Sequence, residues 1–278
     1  MKKKIQKLSF MENFIKIFNA QELRILPGSI AFSLVMAVVP TLLLGILVCT
    51  KCNISIPVII NLLDEIIPKD VSNLLHPIVS SGLENVDVSI WYILLGLLLA
   101  SNGTDSIILA SNTLYHVENE NYLARRIKAL LMIIIVGFVF AFLIIVIAFG
   151  NSILKFILSL SAFQNVRNNI YSLFLLLKWP VAIIIIAILV KVIYTIAPNK
   201  KIPSKFVNKG VLFTTIGWVL ITAIYSFYTN NIAHYDLFYG SLSSLIVLML
   251  WIYAISYILV IGITINANLY ELEQEKSS

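Results

Sequence analysis

Six long apolar runs dominate the hydrophobic pattern of the chain, at about 29–49, 88–114, 127–149, 171–196, 209–229 and 241–268. Each is long enough, at roughly 18 residues or more, to cross a bilayer core about 30 Å thick as a helix. The runs are continuous and do not alternate with polar positions, so they predict helices and not barrel strands. The pattern therefore predicts an all-α polytopic membrane protein of six transmembrane helices. The first run begins near Ser29, too far in for a signal-peptide core, and no small-residue cleavage site follows it, so it is expected to be retained.

Two segments outside the runs carry helical periodicity. In residues 1–28, Met11, Phe14, Ile15 and Phe18 share one face with lysines on the others. This predicts a basic amphipathic helix, lying either on the inner leaflet or against the bundle. In the external segment 53–87, Ser55 and Pro57 read as a helix start, and Ile59, Leu62, Leu63 and Ile66 share a face. Pro68 ends that helix, and Leu74, Leu75 and Ile78 predict a second short one. Their apolar faces need cover, either as a cap over the bundle or in the membrane interface. Asp64, Glu65, Asp70, Glu84 and Asp87 make the segment acidic, as a solvated face or as a capture site for metal or substrate. The predicted organisation is thus a cytoplasmic segment 1–28, a membrane domain 29–268 with 53–87 outside it, and a cytoplasmic tail 269–278.

Composition agrees: 59% of the 278 residues are hydrophobic and 12% are charged, about half the charged share of a soluble domain. Charge then orients the bundle. Fourteen basic residues fall on one side: Lys2, Lys3, Lys4, Lys7, Lys16 and Arg24, then Arg125, Arg126 and Lys128, then Lys200, Lys201, Lys205 and Lys209, and Lys276. Lys51, Lys69, Lys155 and Arg167 fall on the other. This asymmetry predicts both termini in the cytoplasm. Basic residues scattered over loops form no groove for nucleic acid.

Candidate chemistry is sparse. The second run carries Ser101, Asn102, Gly103, Thr104, Asp105 and Ser106 at membrane depth, with Asn112 two turns on. An ionised aspartate there costs at least about 2.5 kcal/mol, so it is expected to face protein or water. The patch reads either as a substrate or proton site or as a polar seam between helices. Lys178, in "LLLKWP", either snorkels to the outer headgroups beside Trp179 or meets an anionic lipid or substrate. Pro40 and Pro180 free backbone carbonyls and are expected to bend their helices. Cys49 and Cys52 form a C-x-x-C, either a redox pair or two ordinary thiols. The histidines 76, 116 and 234 stand apart from one another, and no metal-ligand or nucleophile motif appears. No enzyme, cofactor or metal site is predicted. In "HYDLFYGSLSSLIVLMLWIY", Tyr235 and Tyr239 suit an interfacial aromatic belt, Gly240 a tight turn or a close helix contact, and Ser241 the cap of the last run.

Several of these stretches resemble the YihY/BrkB family of bacterial inner-membrane proteins. "IYTIAP" carries Tyr194 and Pro198, Gly210 and Trp218 punctuate the fifth run, and "FYTNNIAHYDLFYGSLSSLIVLMLWIY" brings Tyr235, Tyr239, Gly240, Ser241 and Trp251. "GITINANLYE" brings Gly262 and Asn266, and "PGSIAFSLVMAVVP" reaches Pro40. "SNTLYHVENENYLARRI" and "LLLKWP" match further elements. The family's acid in its Gly-Ala-Glu end is replaced here by Thr264. The resemblance implies six spans with cytoplasmic termini and no settled general activity. Members have been linked to serum resistance, envelope lipid transport has been proposed, and some carried a ribonuclease label. Two functions are therefore expected: a transporter or transport-assisting protein for an amphipathic envelope component such as a phospholipid, or a non-transporting scaffold for envelope assembly. The expected partners are membrane lipids and, for a scaffold, envelope proteins.

Overall fold

The structure, a computed structural model, describes residues 21–51, 69–81, 90–144, 167–233 and 235–277, with positions 57, 60, 61 and 64. Among these residues there is no strand. The helices are α1 (Gln21–Lys51), α2 (Lys69–Ser81), α3 (Ile90–Leu114), α4 (Tyr122–Ile144), α5 (Arg167–Ile196), α6 (Ser204–Asn231), the short α7 (Tyr235–Tyr239) and α8 (Ser243–Ser277). A 3₁₀ turn, Gly240–Leu242, joins α7 to α8. Five of them are long and apolar enough to cross a membrane: α1, α3, α5, α6 and α8. The run expected at 127–149 is the exception. Its described part, α4, opens with Arg125, Arg126 and Lys128 inside the helix, and residues beyond Ile144 lie outside the described residues.

The long helices close into a ring. α1 packs on α3, α3 on α4, α4 on α5, α5 on α6, α6 on α8, and α8 returns to α1. The interior core gathers at the end where α3 and α5 finish, around Leu23, Ile30, Ile108, Met132, Val190, Tyr194, Val207 and Leu259. Large apolar side chains such as Phe138, Ile184, Leu220 and Phe227 point outward and exposed, as a lipid-facing surface requires. α1 is already helical at Gln21, ahead of its apolar run, because Leu23 and Ile30 are buried in that core.

α2 buries Val71, Leu75 and Val79, one residue per turn, against α1 and α8. Val71 and Leu75 form a second cluster with Ala31, Val247, Leu248 and Ile252, and Tyr235 packs on it. Ser72 donates to Asp64 Oδ1 (2.5 Å), and His76 Nε2 lies 3.0 Å from the same oxygen. This ties the preceding helical positions to α2. Ser55, Ile59, Leu62, Leu63 and Ile66 lie outside the described residues, as does the segment 1–20.

The lipid-buried interior offers little hydrophobic drive for helix association, so close contact and polar stitching hold such rings together. The α6–α8 seam shows both. Gly210 and Gly262 meet backbone to backbone: a Cβ on Gly210 would lie 2.3 Å from Gly262 O. Along the same seam Trp218 Nε1 donates to Ile255 O (2.9 Å), Trp251 Nε1 to Thr222 Oγ1 (3.3 Å) and Tyr225 Oη to Val247 O (2.9 Å). From α5, Tyr194 Oη donates to Leu259 O (2.8 Å) and lies 2.5 Å from Thr214 Oγ1.

α3 ends in a Schellman motif. Val117 N–H donates to Asn112 O (2.9 Å) and His116 N–H to Thr113 O (3.2 Å), with His116 at φ 50°. Glycine is the usual residue at that left-handed position, and an L side chain there costs about 1 kcal/mol or more. His116→Gly is therefore expected to raise the thermal midpoint in detergent by a few degrees. An unchanged or lower midpoint would mean that the exposed contact between His116 and Glu271 (3.7 Å) outweighs the strain.

Candidate functional site

The polar patch of α3 meets the first turns of α4. Asn102 and Asp105 are three residues apart and share a helix face. Arg125 Nε donates to Asp105 Oδ1 at 2.8 Å, with both side chains about one-sixth exposed (17% and 16%). Arg126 Nη1 donates to Asn102 Oδ1 at 2.8 Å, and its Nη2 donates to Leu98 O. Ser101 Oγ also donates to Leu98 O (2.8 Å). Thr104 Oγ1 donates to Ala129 O (2.8 Å), which sets the two helices level at that point.

That level fixes how far the arginines reach. With 1.5 Å of rise per residue, Arg126 leaves its backbone about level with Ile107. Its guanidinium nevertheless binds Asn102 and Leu98, about 7 Å or more farther from the end where α3 finishes. Asp105 itself lies about 14 Å from that end by the same rise. A cation that snorkels would extend the other way. Arg125 is neutralised by Asp105, whereas Arg126 has no carboxylate partner among the described residues.

The other predicted residues fall in different places. Asn112 is fully buried and works in the loops: its Nδ2 donates to Asn119 Oδ1 (2.9 Å), and its Oδ1 accepts from Asn199 N–H (2.8 Å). Beside it, Lys128 donates to Ala197 O (2.9 Å), Pro198 O (3.1 Å) and Asn199 Oδ1 (2.7 Å), so it closes the C-terminal end of α5. Lys178 lies on α5 at the far end of the bundle, and its side chain is outside the described residues. The same holds for Cys49, Cys52, Asp236 and Ser241, and for His234 as a whole. Pro40 lies within an unbroken α1.

The family-like residues are structural stitches. Tyr194, Trp218 and Trp251 are hydrogen-bonded across the α5, α6 and α8 contacts described above, and Gly210 N–H donates to Asn266 Oδ1 (2.8 Å). Thr264, standing where the family has an acid, returns its hydroxyl to Val260 O in its own helix (2.9 Å). Gly240 has φ 51° and nothing within 4 Å of a Cβ, so it serves the turn and not a close contact. Tyr235 meets Tyr228 edge to face (6.4 Å) and lies tilted against Tyr239 (6.3 Å), and burial together with its bond to Tyr228 pushes its hydroxyl above the ordinary tyrosine range.

Ser72, His76 and Asp64 have the residue types of a hydrolase triad without its relay. One carboxylate oxygen serves both partners, and Ser72 is fully buried. Among the described residues no group of three or more His, Cys, Asp or Glu side chains is placed to hold a metal.

The profile of the family described as Virulence factor BrkB matches residues 14–278. The chain belongs to the BrkB family. The Bacillus subtilis protein YfkH, whose name calls it ribonuclease-like, is 26% identical over 267 residues, covering 95% of this chain and 96% of that one. A UPF0761 membrane protein of Chromobacterium violaceum is 28% identical over 87 residues, 31% of this chain and 21% of its own length. One from Vibrio cholerae is 28% identical over 125 residues, 45% of this chain and 41% of its own. No solved structure matches. This BrkB-family chain is an integral membrane protein. In the sequence, Arg125 and Arg126 lie between the second and third apolar runs and read as topology signals. The signal that places them in the site is the short connection from Leu114 to Tyr122, which brings a basic doublet back against Asp105.

Proposed function

We propose that this BrkB-family protein moves, or helps to move, an anionic amphipathic component of the envelope such as a phospholipid, and that Arg126 and Arg125 receive its headgroup. The observation that carries the reading is the position of Arg126. Its guanidinium is turned into the membrane, bonded only to neutral groups among the described residues, beside the exposed lipid-facing Leu98 and Leu99. Guanidinium favours phosphate through two parallel hydrogen bonds. A scaffold gains nothing from an unneutralised cation at that depth, which is costly unless a charged partner visits it.

The test is lipid movement in liposomes that contain purified protein and a fluorescent phosphatidylglycerol, with an impermeant quencher reading the accessible leaflet. Wild-type protein is expected to accelerate exchange over protein-free vesicles. Arg126→Gln, which keeps a donor to Asn102 but no charge, is expected to cut the rate about tenfold or more while the protein still inserts. Wild-type protein that leaves exchange at the protein-free rate, or an Arg126→Gln rate equal to wild type, would return the chain to the scaffold reading.

A further inference from the structure

The charges around Arg125 and Arg126 are few enough to be counted. Arg125 Nε donates to Asp105 Oδ1 at 2.8 Å, and no other ion pair reaches either arginine among the described residues. Arg126 adds one more positive charge, bonded to Asn102 Oδ1 and Leu98 O, which are neutral. Lys128 leaves the same stretch of α4 but is committed to the end of α5, where Ala197 O, Pro198 O and Asn199 Oδ1 hold it. Glu120, from the connection before α4, lies within electrostatic reach of that lysine. Two guanidinium groups and one carboxylate therefore leave this place with a single net positive charge.

Both arginines keep donors in hand. Arg125 spends Nε on Asp105, and its terminal nitrogens have no hydrogen-bond partner among the described residues. The Tyr122 ring, 5.7 Å from the Arg125 guanidinium carbon, adds a cation–π contact without taking a donor. Arg126 spends one hydrogen of each terminal nitrogen and keeps its Nε–H. Asn102 and Asp105 lie one turn apart on one face of α3, so the two guanidinium groups that they hold are neighbours. Leu95 and Leu98 of α3 and Leu123 and Ile127 of α4 flank them, all exposed on the lipid-facing surface.

We infer that this site takes a phosphodiester headgroup with one negative charge, as in phosphatidylglycerol, over the phosphomonoester of phosphatidic acid, and that Asp105 sets the limit. The inference rests on the reading that Arg125 and Arg126 receive a headgroup. A phosphodiester brings one charge and two free oxygens, one for each guanidinium. A phosphomonoester brings close to two charges above its second pKa of about 6. Its second charge would stand beside Asp105, which is mostly sheltered, so water screens the repulsion weakly. Asp105 acts on the headgroup by its charge and through Arg125, as a specificity-determining residue.

The experiment is native mass spectrometry of the purified full chain with phosphatidylglycerol and phosphatidic acid of equal chain length, offered together at about pH 8, where the monoester is doubly charged. Phosphatidylcholine gives the background. Wild-type protein is expected to retain phosphatidylglycerol over phosphatidic acid. Asp105→Asn keeps the acceptor for Arg125 and removes the charge, and it is expected to shift the ratio toward phosphatidic acid about tenfold or more. A purely structural role for Asp105 would weaken both lipids alike and leave the ratio where it was. Asn102→Asp applies the same rule in the other direction and gives Arg126 a carboxylate partner, so it does not depend on the Asp105 variant folding. It brings the net charge to zero and is expected to lower retention of both anionic lipids to the phosphatidylcholine background. An unmoved ratio in Asp105→Asn, a wild type that prefers phosphatidic acid, or an Asn102→Asp protein that still retains phosphatidylglycerol overturns this inference and leaves the headgroup reading standing. Retention of both anionic lipids that is equal in wild type and Arg126→Gln overturns the headgroup reading and this inference with it.

Discussion

Gly262→Ala is expected to destabilise the protein strongly. The new Cβ would lie 2.1 Å from Thr214 Oγ1 and 2.2 Å from Tyr194 Oη. Neither atom can retreat cheaply. Tyr194 is about 2% exposed and is held by its bond to Leu259 O, and Thr214 is fully buried against it. Either α6 and α8 separate, or the tyrosine and threonine surrender their hydrogen bonds. Overpacking costs about 1–3 kcal/mol, and each lost bond adds about 1 kcal/mol, so the total is about 3–5 kcal/mol. The measurement is thermal unfolding in detergent, with a fall of roughly 10 °C expected. Gly137→Ala is the control: nothing lies within 4 Å of a Cβ there, and helix propensity alone favours the alanine. Gly262→Ala/Thr214→Ala is expected to recover part of the loss. A Gly262→Ala protein with the wild-type midpoint would mean that the helices do not touch at this point.

Asp105→Ala is the second large effect. It removes the only carboxylate within reach of Arg125 among the described residues and leaves a guanidinium inside the membrane ring. Breaking a buried pair from one side costs about 3–5 kcal/mol. The residual exposure of both side chains places the expectation near the lower end. The double variant Asp105→Ala/Arg125→Met is expected to recover most of it, since removing both charges removes the stranded one. Reversible unfolding of the single and double variants in bicelles gives the coupling. Additive losses would contradict the ion pair as a stabilising unit.

How much of this was legible in the sequence depends on the kind of residue. The all-α polytopic class and the family were readable, because apolar length and the spaced Tyr, Trp and Gly residues are local signals. The register of α6 on α8 was half-readable: Gly210, Thr214, Trp218, Thr222 and Tyr225 recur every three or four residues, which marks one stripe, but not which helix it meets. The partner of Asp105 was not readable, because Arg125 and Arg126 look like ordinary loop charges until α4 is seen to begin at Tyr122. His76 reads as isolated for a similar reason: Ser72 sits one turn before it on α2, but Asp64 reaches it only through the fold of the external segment.

Three stitches along the last helix share a property with a consequence for how the chain can change. Tyr194, Trp218 and Tyr225 all donate to main-chain carbonyls of α8: Leu259, Ile255 and Val247. Every residue type presents that same oxygen. One partner in each contact is therefore chemically fixed while the other is generic. Substitutions at positions 247, 255 and 259 are free to drift among apolar side chains of similar bulk, and at these three contacts the specific partner comes from α5 or α6, whereas Trp251 and Asn266 are the specific side chains that α8 itself supplies. Lineages of this protein can thus vary the packing residues at these three points of the last helix without unfastening it.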